Sequence, residues 1–174
     1  MIESQKYNTH LNVRFNNNYK RGMSNKINAL KRVQKDLEKM MKDNDPGFVV
    51  NFDEDNLLKV EALIAGPEGT IWEGGVFELS IKFSEDYPNV CPEVVFVSKM
   101  FHPNVYHDGR ICLDILSTQW SPSYDLMSIL VSIRSLLNYP NANSPANKTA
   151  CEIYMNNAIE YERKVKEVVA LSQE

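Results

Sequence analysis

At Asp45-Pro46-Gly47 the apolar periodicity of this chain changes, and that change limits what the chain can fold into. Before it, Ile27, Leu30, Val33, Leu37, Met40 and Met41 recur at steps of three and four residues, the spacing of one helix face. Lys31, Arg32, Lys35, Asp36 and Lys39 take the other face. A helix is therefore expected from about Ser24 to Lys42, ended by a Pro and a Gly that cannot continue it. After the break the runs are short and extended. They cover Phe48-Val49-Val50, Leu57 to Ala65, Val76 to Phe83 and Val94 to Val97. The third alternates strictly, with Phe77, Leu79, Ile81 and Phe83 against Val76, Glu78, Ser80 and Lys82, as in a half-buried strand. Four consecutive strands joined by turns predict an antiparallel meander.

Residues 98–123 fit neither period. They hold Pro, Asn, Gly and Asp together with Ile111, Leu113, Ile115 and Trp120. A loop this long inside a compact domain is usually functional. Helices are then expected over Leu126–Leu137, capped by Asp125 or Ser123, over Asn147–Asn156 and over Asn157–Ser172. Tyr139-Pro140-Asn141-Ala142-Asn143-Ser144-Pro145 separates the first from the second. The predicted class is α+β: an N-terminal helix, a four-stranded meander, a long loop and three C-terminal helices.

At 174 residues the chain has the length of one domain. A net charge of −4 argues against a general nucleic-acid binder, and no apolar run reaches the length of a membrane span. Met1-Ile2-Glu3-Ser4-Gln5 has no apolar core of a secretory signal. Three scattered cysteines make no disulfide scaffold, so a reduced cytoplasmic or nuclear setting is expected. The charge is uneven. Lys6, Arg14, Lys20, Arg21 and Lys26 face only Glu3 in the first 26 residues, and Asn16-Asn17-Asn18 run together. Residues 1–23 thus read as a flexible basic, Asn-rich extension, with 24–174 the folded domain. A basic arm for an acidic partner is the sharper reading of the same segment. A transit peptide would need more Arg and Ser.

Chemistry is sought in the long loop. Cys91 and Cys151 lack polar neighbours and read as small buried hydrophobes. Cys112 lies near His102, Asn104, His107 and Asp114. A thiolate with an adjacent amide donor suits thioester chemistry. A Cys/His pair equally suits a hydrolase. A binding module with a buried Cys is the third reading, and Asn104 alone fits a turn residue. His102, His107, Cys112 and Asp114 lack the tight ligand pairs of a structural zinc site, so no metal is expected.

His102-Pro103-Asn104, seven residues, Cys112-Leu113-Asp114-Ile115-Leu116, then Trp120-Ser121-Pro122 resemble the core signature of the ubiquitin-conjugating enzymes. Gly66-Pro67, Trp72-Glu73-Gly74-Gly75-Val76-Phe77, Tyr87-Pro88 with Pro92, and Pro140-Asn141 with Pro145 follow in family order. The resemblance runs from about residue 27 to the C-terminus. Phe101 to Tyr106, Trp120 to Asp125 and Ser144-Pro145-Ala146-Asn147 are most similar to the radiation-sensitivity subgroup, which acts on histones and the replication sliding clamp.

The resemblance implies that Cys112 accepts ubiquitin as a thioester from the activating enzyme and passes it to a substrate lysine, usually with a RING-type ligase. It implies an oxyanion or loop-holding role for Asn104, a loop-ordering role for His102 and a structural one for Asp114. Ser144 falls at the cleft gate, where many members carry an acid that helps the lysine lose its proton. Tyr124 and Asn147 flank the cleft. Lys31, Arg32 and Lys35 match the face that docks the activating enzyme. Asn89, Ser121 and Pro122 match the ligase loops, with Asn89 replacing a bulky apolar residue. No bound cofactor is implied, and ATP is consumed by the activating enzyme. Another ubiquitin-like modifier, a cysteine hydrolase or a silent binding module are the alternatives. The chemistry needs no strong base. A lysine of reference pKa about 10.4 becomes neutral more readily in a desolvated cleft.

Overall fold

A computed structural model describes residues 17–53 and 55–173. Helix α1 (Asn17–Asp43) is followed by strands β1 (Phe48–Phe52), β2 (Lys59–Ala65), β3 (Val76–Lys82) and β4 (Glu93–Phe96). A short 3-10 turn (Asp114–Leu116) interrupts the long loop, and α2 (Leu126–Asn138), α3 (Lys148–Asn156) and α4 (Ala158–Leu171) complete the chain. The α+β order is the one the periodicity predicts. Among the described residues no helix is long and apolar enough to cross a membrane.

The helix start differs from the expected one. α1 begins at Asn17, so residues 17–23 of the expected extension belong to the helix, and residues 1–16 lie outside the described residues. The run Asn17-Asn18-Tyr19-Lys20-Arg21 has no apolar spacing from which a helix could be read. The buried stripe is Ala29, Val33, Leu37 and Met40, while Ile27 and Met41 are exposed. Asn44 closes the helix in the left-handed region, at φ 44°, a conformation Asn tolerates.

The sheet order is β1-β2-β3-β4, antiparallel throughout. Its period-two pattern puts Val60, Ala62 and Ile64 of β2 beside Phe77, Leu79 and Ile81 of β3 on one buried face. Leu126, Ile129, Leu130, Ile133 and Leu137 of α2 join the same core. Each such side chain contributes about 1.5–3 kcal/mol by burial. Asp125 caps α2, accepting from the Ser128 amide at 2.8 Å, and accepts from Lys39 of α1 at 2.6 Å. Partial burial pushes its carboxyl up, but these bonds and the Ser128 hydroxyl bring it down to about 2.

Asp36 and Arg32 do not lie on a solvated face. Asp36 is 4% exposed and accepts from the Tyr87 hydroxyl at 2.6 Å and from Arg32 Nε at 2.9 Å. Burial, reinforced by the Asp36 carboxylate, holds the Tyr87 phenol well above its usual value, so it stays a donor. The other guanidinium nitrogens of Arg32 donate to the carbonyls of Pro122 and Tyr124, at 2.8 and 2.7 Å. Arg32 thus ties α1 to the end of the long loop. Arg32→Ala strands a buried carboxylate, and we expect it to cost about 3 kcal/mol in urea unfolding. Arg32→Lys should restore less than half, because an ammonium cannot reproduce the fork. Full restoration by Lys would show that only the charge matters.

Candidate active site

The long loop begins as a tight hairpin. Tyr106 N–H donates to Arg110 O at 2.9 Å and Gly109 N–H to Tyr106 O at 3.0 Å. Val105 bridges Ile111, and Cys112 N–H donates to Asn104 O at 2.8 Å. The seven residues between Asn104 and Cys112 are therefore the hairpin that places the two opposite each other. Gly109 makes this possible. Its φ is +84°, and a Cβ there would sit 2.1 Å from Phe96 O, where β4 bonds the hairpin.

Beyond Cys112 the 3-10 turn packs against the segment before β4. Trp120 Nε1 donates to Pro88 O at 2.8 Å, and Cys91 Sγ donates to Leu116 O at 3.1 Å. Asp114 is exposed, opens the turn, and its backbone carbonyl accepts from Ser117 and Gln119. Its side-chain Oδ1 accepts from Ile115 N–H at 3.1 Å, so side chain and main chain both bond within the turn.

A second bracket joins the start of the loop to the segment after α2. His102 is fully buried. Its Nδ1 accepts from Asn104 N–H at 2.9 Å, which leaves the proton on Nε2 to be donated to Leu136 O at 2.9 Å. Burial lowers its pKa to about 4, against the upward pull of the Leu136 and Leu137 backbones. The ring is neutral at physiological pH, and its two nitrogens bond the main chain of the loop and the end of α2. Pro103 O accepts from the amides of Ala146 and Asn147, at 2.8 and 2.9 Å.

Asn104 is buried and clasps the same segment. Its Oδ1 accepts from Asn141 N–H at 2.7 Å, and its Nδ2 donates to Asn141 O at 2.8 Å and Ser144 O at 3.0 Å. That clasp sets the Ser144 hydroxyl 3.4 Å from Cys112 Sγ. Cys112 itself is half-buried and reachable from solvent.

His102, Asn104, Cys112 and Ser144 are thus drawn together from the two ends of α2's surroundings. Asn147 is spent as the cap of α3, accepting from Ala150 N–H at 3.0 Å. Tyr124 offers its carbonyl to Arg32. Lys31 and Lys35 are exposed on α1, whereas Arg32 is 22% exposed and bonded on every side-chain nitrogen. Asn89 and Pro122 are exposed and Ser121 half-buried. Trp120 holds the loop that carries Ser121 and Pro122 against Pro88, the neighbour of Asn89. His107 is exposed at the hairpin and takes no part in the bracket. Asn141 enters the sequence reading only as part of the Pro140-Asn141 match, with no role attached to it. Its place in a Pro- and Asn-rich break reads as turn chemistry, and nothing local reveals that it receives Asn104.

Residues 32–169 match the family described as ubiquitin-conjugating enzyme. Over 142 residues the chain is 51% identical to ubiquitin-conjugating enzyme E2 1 of Caenorhabditis elegans, covering 82% of this chain and 74% of that protein. Over 144 residues it is 51% identical to ubiquitin-conjugating enzyme E2 3 of Arabidopsis thaliana, covering 83% of this chain and 96% of that one.

Proposed function

The chain belongs to the ubiquitin-conjugating enzyme family, and from that premise we propose that Cys112 is the residue that carries ubiquitin. One observation supports this above the rest. Cys112 is a half-buried thiol beside the Asn104 clasp and the Ser144 hydroxyl, while Cys91 and Cys151 point their thiols at the carbonyls of Leu116 and Ala142. The Cys112 thiolate attacks the thioester held by the activating enzyme, the activating enzyme's C–S bond breaks with its sulfur leaving as a thiolate, and the ubiquitin acyl group stays on Cys112. A substrate lysine, as the neutral amine, then attacks the same carbonyl. The thioester is already activated, so positioning supplies much of the acceleration. Asn104 holds the segment that forms one wall of the site. His102 and Asp114 keep the loop in shape.

The partners follow the surfaces. The activating enzyme docks on the exposed Lys31 and Lys35 of α1, with Arg32 shaping that face from beneath. A RING-type ligase contacts Asn89, Ser121 and Pro122. Three unpaired cysteines support a reducing compartment, cytoplasm or nucleus. The domain that does this work spans residues 24–174, with the earlier turns of α1 leading into it.

Incubation with activating enzyme, ATP and a panel of ubiquitin-like modifiers tests the reading on non-reducing gels. Ubiquitin should form a thiol-sensitive adduct. Preferential loading of another modifier, or release of free acid without an adduct, would overturn it in favour of a different modifier or a hydrolase.

Reversing Lys31 and Lys35 to Glu should slow charging several-fold at limiting activating enzyme and low salt. Raised salt should shrink the difference, because exposed charges act through screened steering. Identical kinetics at low salt would leave these lysines merely solvated.

A further inference from the structure

The clasp that fixes Asn104 leaves it no free proton. Both N–H bonds of its amide are used on Asn141 O and Ser144 O, and the side-chain oxygen is used on Asn141 N–H. As placed, it has nothing left to give to charge developing in the reaction. The Ser144 hydroxyl is in the opposite position. Among the described residues, Cys112 Sγ at 3.4 Å is its only hydrogen-bond partner. Its main chain is meanwhile fixed, with Ser144 N–H donating to Asn141 O at 3.3 Å and Ser144 O accepting from Asn104.

In the transfer step the lysine nitrogen attacks the thioester carbonyl carbon, and a C–N bond forms. The tetrahedral species then breaks its C–S bond. The electron pair leaves on Cys112 Sγ as a thiolate, and the surplus amine proton goes to solvent. A thiolate can only accept a hydrogen bond, so the donor in the pair is then Ser144 Oγ–H. We propose that Ser144 is a catalytic residue whose hydroxyl stabilises the departing Cys112 thiolate, and that Asn104 is the positioning residue that aims it. The inference rests on Cys112 being the thioester carrier.

Charging should feel the contact less than discharge does. In charging, the same hydrogen bond meets the sulfur both before and during its attack, so its effects partly cancel. On discharge the bond acts in one direction only, because it is strongest when sulfur carries the charge.

Ser144→Ala removes the hydroxyl and keeps the carbonyl that Asn104 holds, and Ser144→Thr returns the hydroxyl. In single-turnover discharge of the ubiquitin adduct to free lysine, Ser144→Ala should be roughly tenfold slower, the scale of one hydrogen bond to an ionised group. Iodoacetamide alkylation at neutral pH, read on the Cys112 peptide by mass spectrometry, should slow as well but by less than discharge, since there too the hydroxyl meets an attacking sulfur. Ser144→Thr should recover most of both rates. Unchanged discharge and alkylation in Ser144→Ala would overturn the proposal. So would slow discharge with unchanged alkylation and no recovery by Thr, the pattern of a structural defect. An adduct that persists in Cys112→Ala refutes the carrier assignment instead, and the two failures are told apart on the same gel.

Discussion

Cys112→Ala should abolish the thiol-sensitive ubiquitin adduct, while Cys91→Ala and Cys151→Ala should both form it. The expectation follows from where each sulfur lies. Cys151 is buried, with its thiol directed at Ala142 O at 3.7 Å. Cys91 donates to Leu116 O at 3.1 Å, where it helps hold the 3-10 turn. Only the thiolate is a nucleophile, and a carbonyl oxygen is the partner of a protonated thiol. Cys112 instead faces a hydroxyl that can donate to a thiolate. The effect is all or none, because the other two thiols are directed at the carbonyls of Leu116 and Ala142. An adduct of wild-type yield in Cys112→Ala would end the assignment.

Asn104→Ala should be the most damaging substitution that leaves the nucleophile in place. It deletes three hydrogen bonds and leaves the Asn141 amide and the Asn141 and Ser144 carbonyls without this partner. These bonds are part-buried, so water offsets some of the about 1–3 kcal/mol that each lost partner costs, and a stability loss of roughly 2–4 kcal/mol is expected in chemical unfolding. The segment that carries Ser144 then drifts from Cys112. A misplacement of about 1 Å is enough to slow transfer on the order of a hundredfold. Charging should continue, because Cys112 N–H is held by the main chain of Asn104, which Ala keeps. Asn104→Asp should be no better than Ala, since its carboxylate faces two carbonyls. The stability measurement discriminates. A residue that acted only as an oxyanion donor would slow discharge without lowering stability, and that outcome would contradict the clasp.

Period and punctuation carried the architecture. The switch at Asp45-Pro46-Gly47 separates α1 from β1, and strict alternation over Val76 to Phe83 marks β3 with its inward Phe77, Leu79 and Ile81. Asp125 was one of two expected caps, and it is the one that accepts from Ser128. What periodicity misses is long-range polar pairing. Asp36 sits at a position that reads as solvated, yet it is buried by Tyr87 and Arg32, the former 51 residues away in the chain. Arg32 reads as one cation of a docking face but spends its guanidinium on the carbonyls of Pro122 and Tyr124. The start of α1 was invisible for a related reason, because Asn17, Asn18, Tyr19, Lys20 and Arg21 offer no apolar spacing to read.

The site was legible in parts. The motif residues place Cys112, Asn104 and His102 in one loop, and the family likeness adds the cleft position of Ser144. The hairpin explains why a seven-residue gap still puts Asn104 against Cys112, since Gly109 lets the chain turn under Phe96. The sequence left Asn104 open between an oxyanion donor and a loop holder. Only the geometry shows that both amide protons are already engaged.

Peptide mapping of the adduct formed by Cys112→Ser tests the central claim most directly. A serine oxygen at that position should trap ubiquitin as an ester that survives reductant, because an alkoxide leaves less readily than a thiolate. Digestion should then yield one branched peptide with the ubiquitin C-terminal glycine on the residue at position 112. A branched peptide centred on Cys91 or Cys151, or a reductant-sensitive adduct from this variant, would contradict the account.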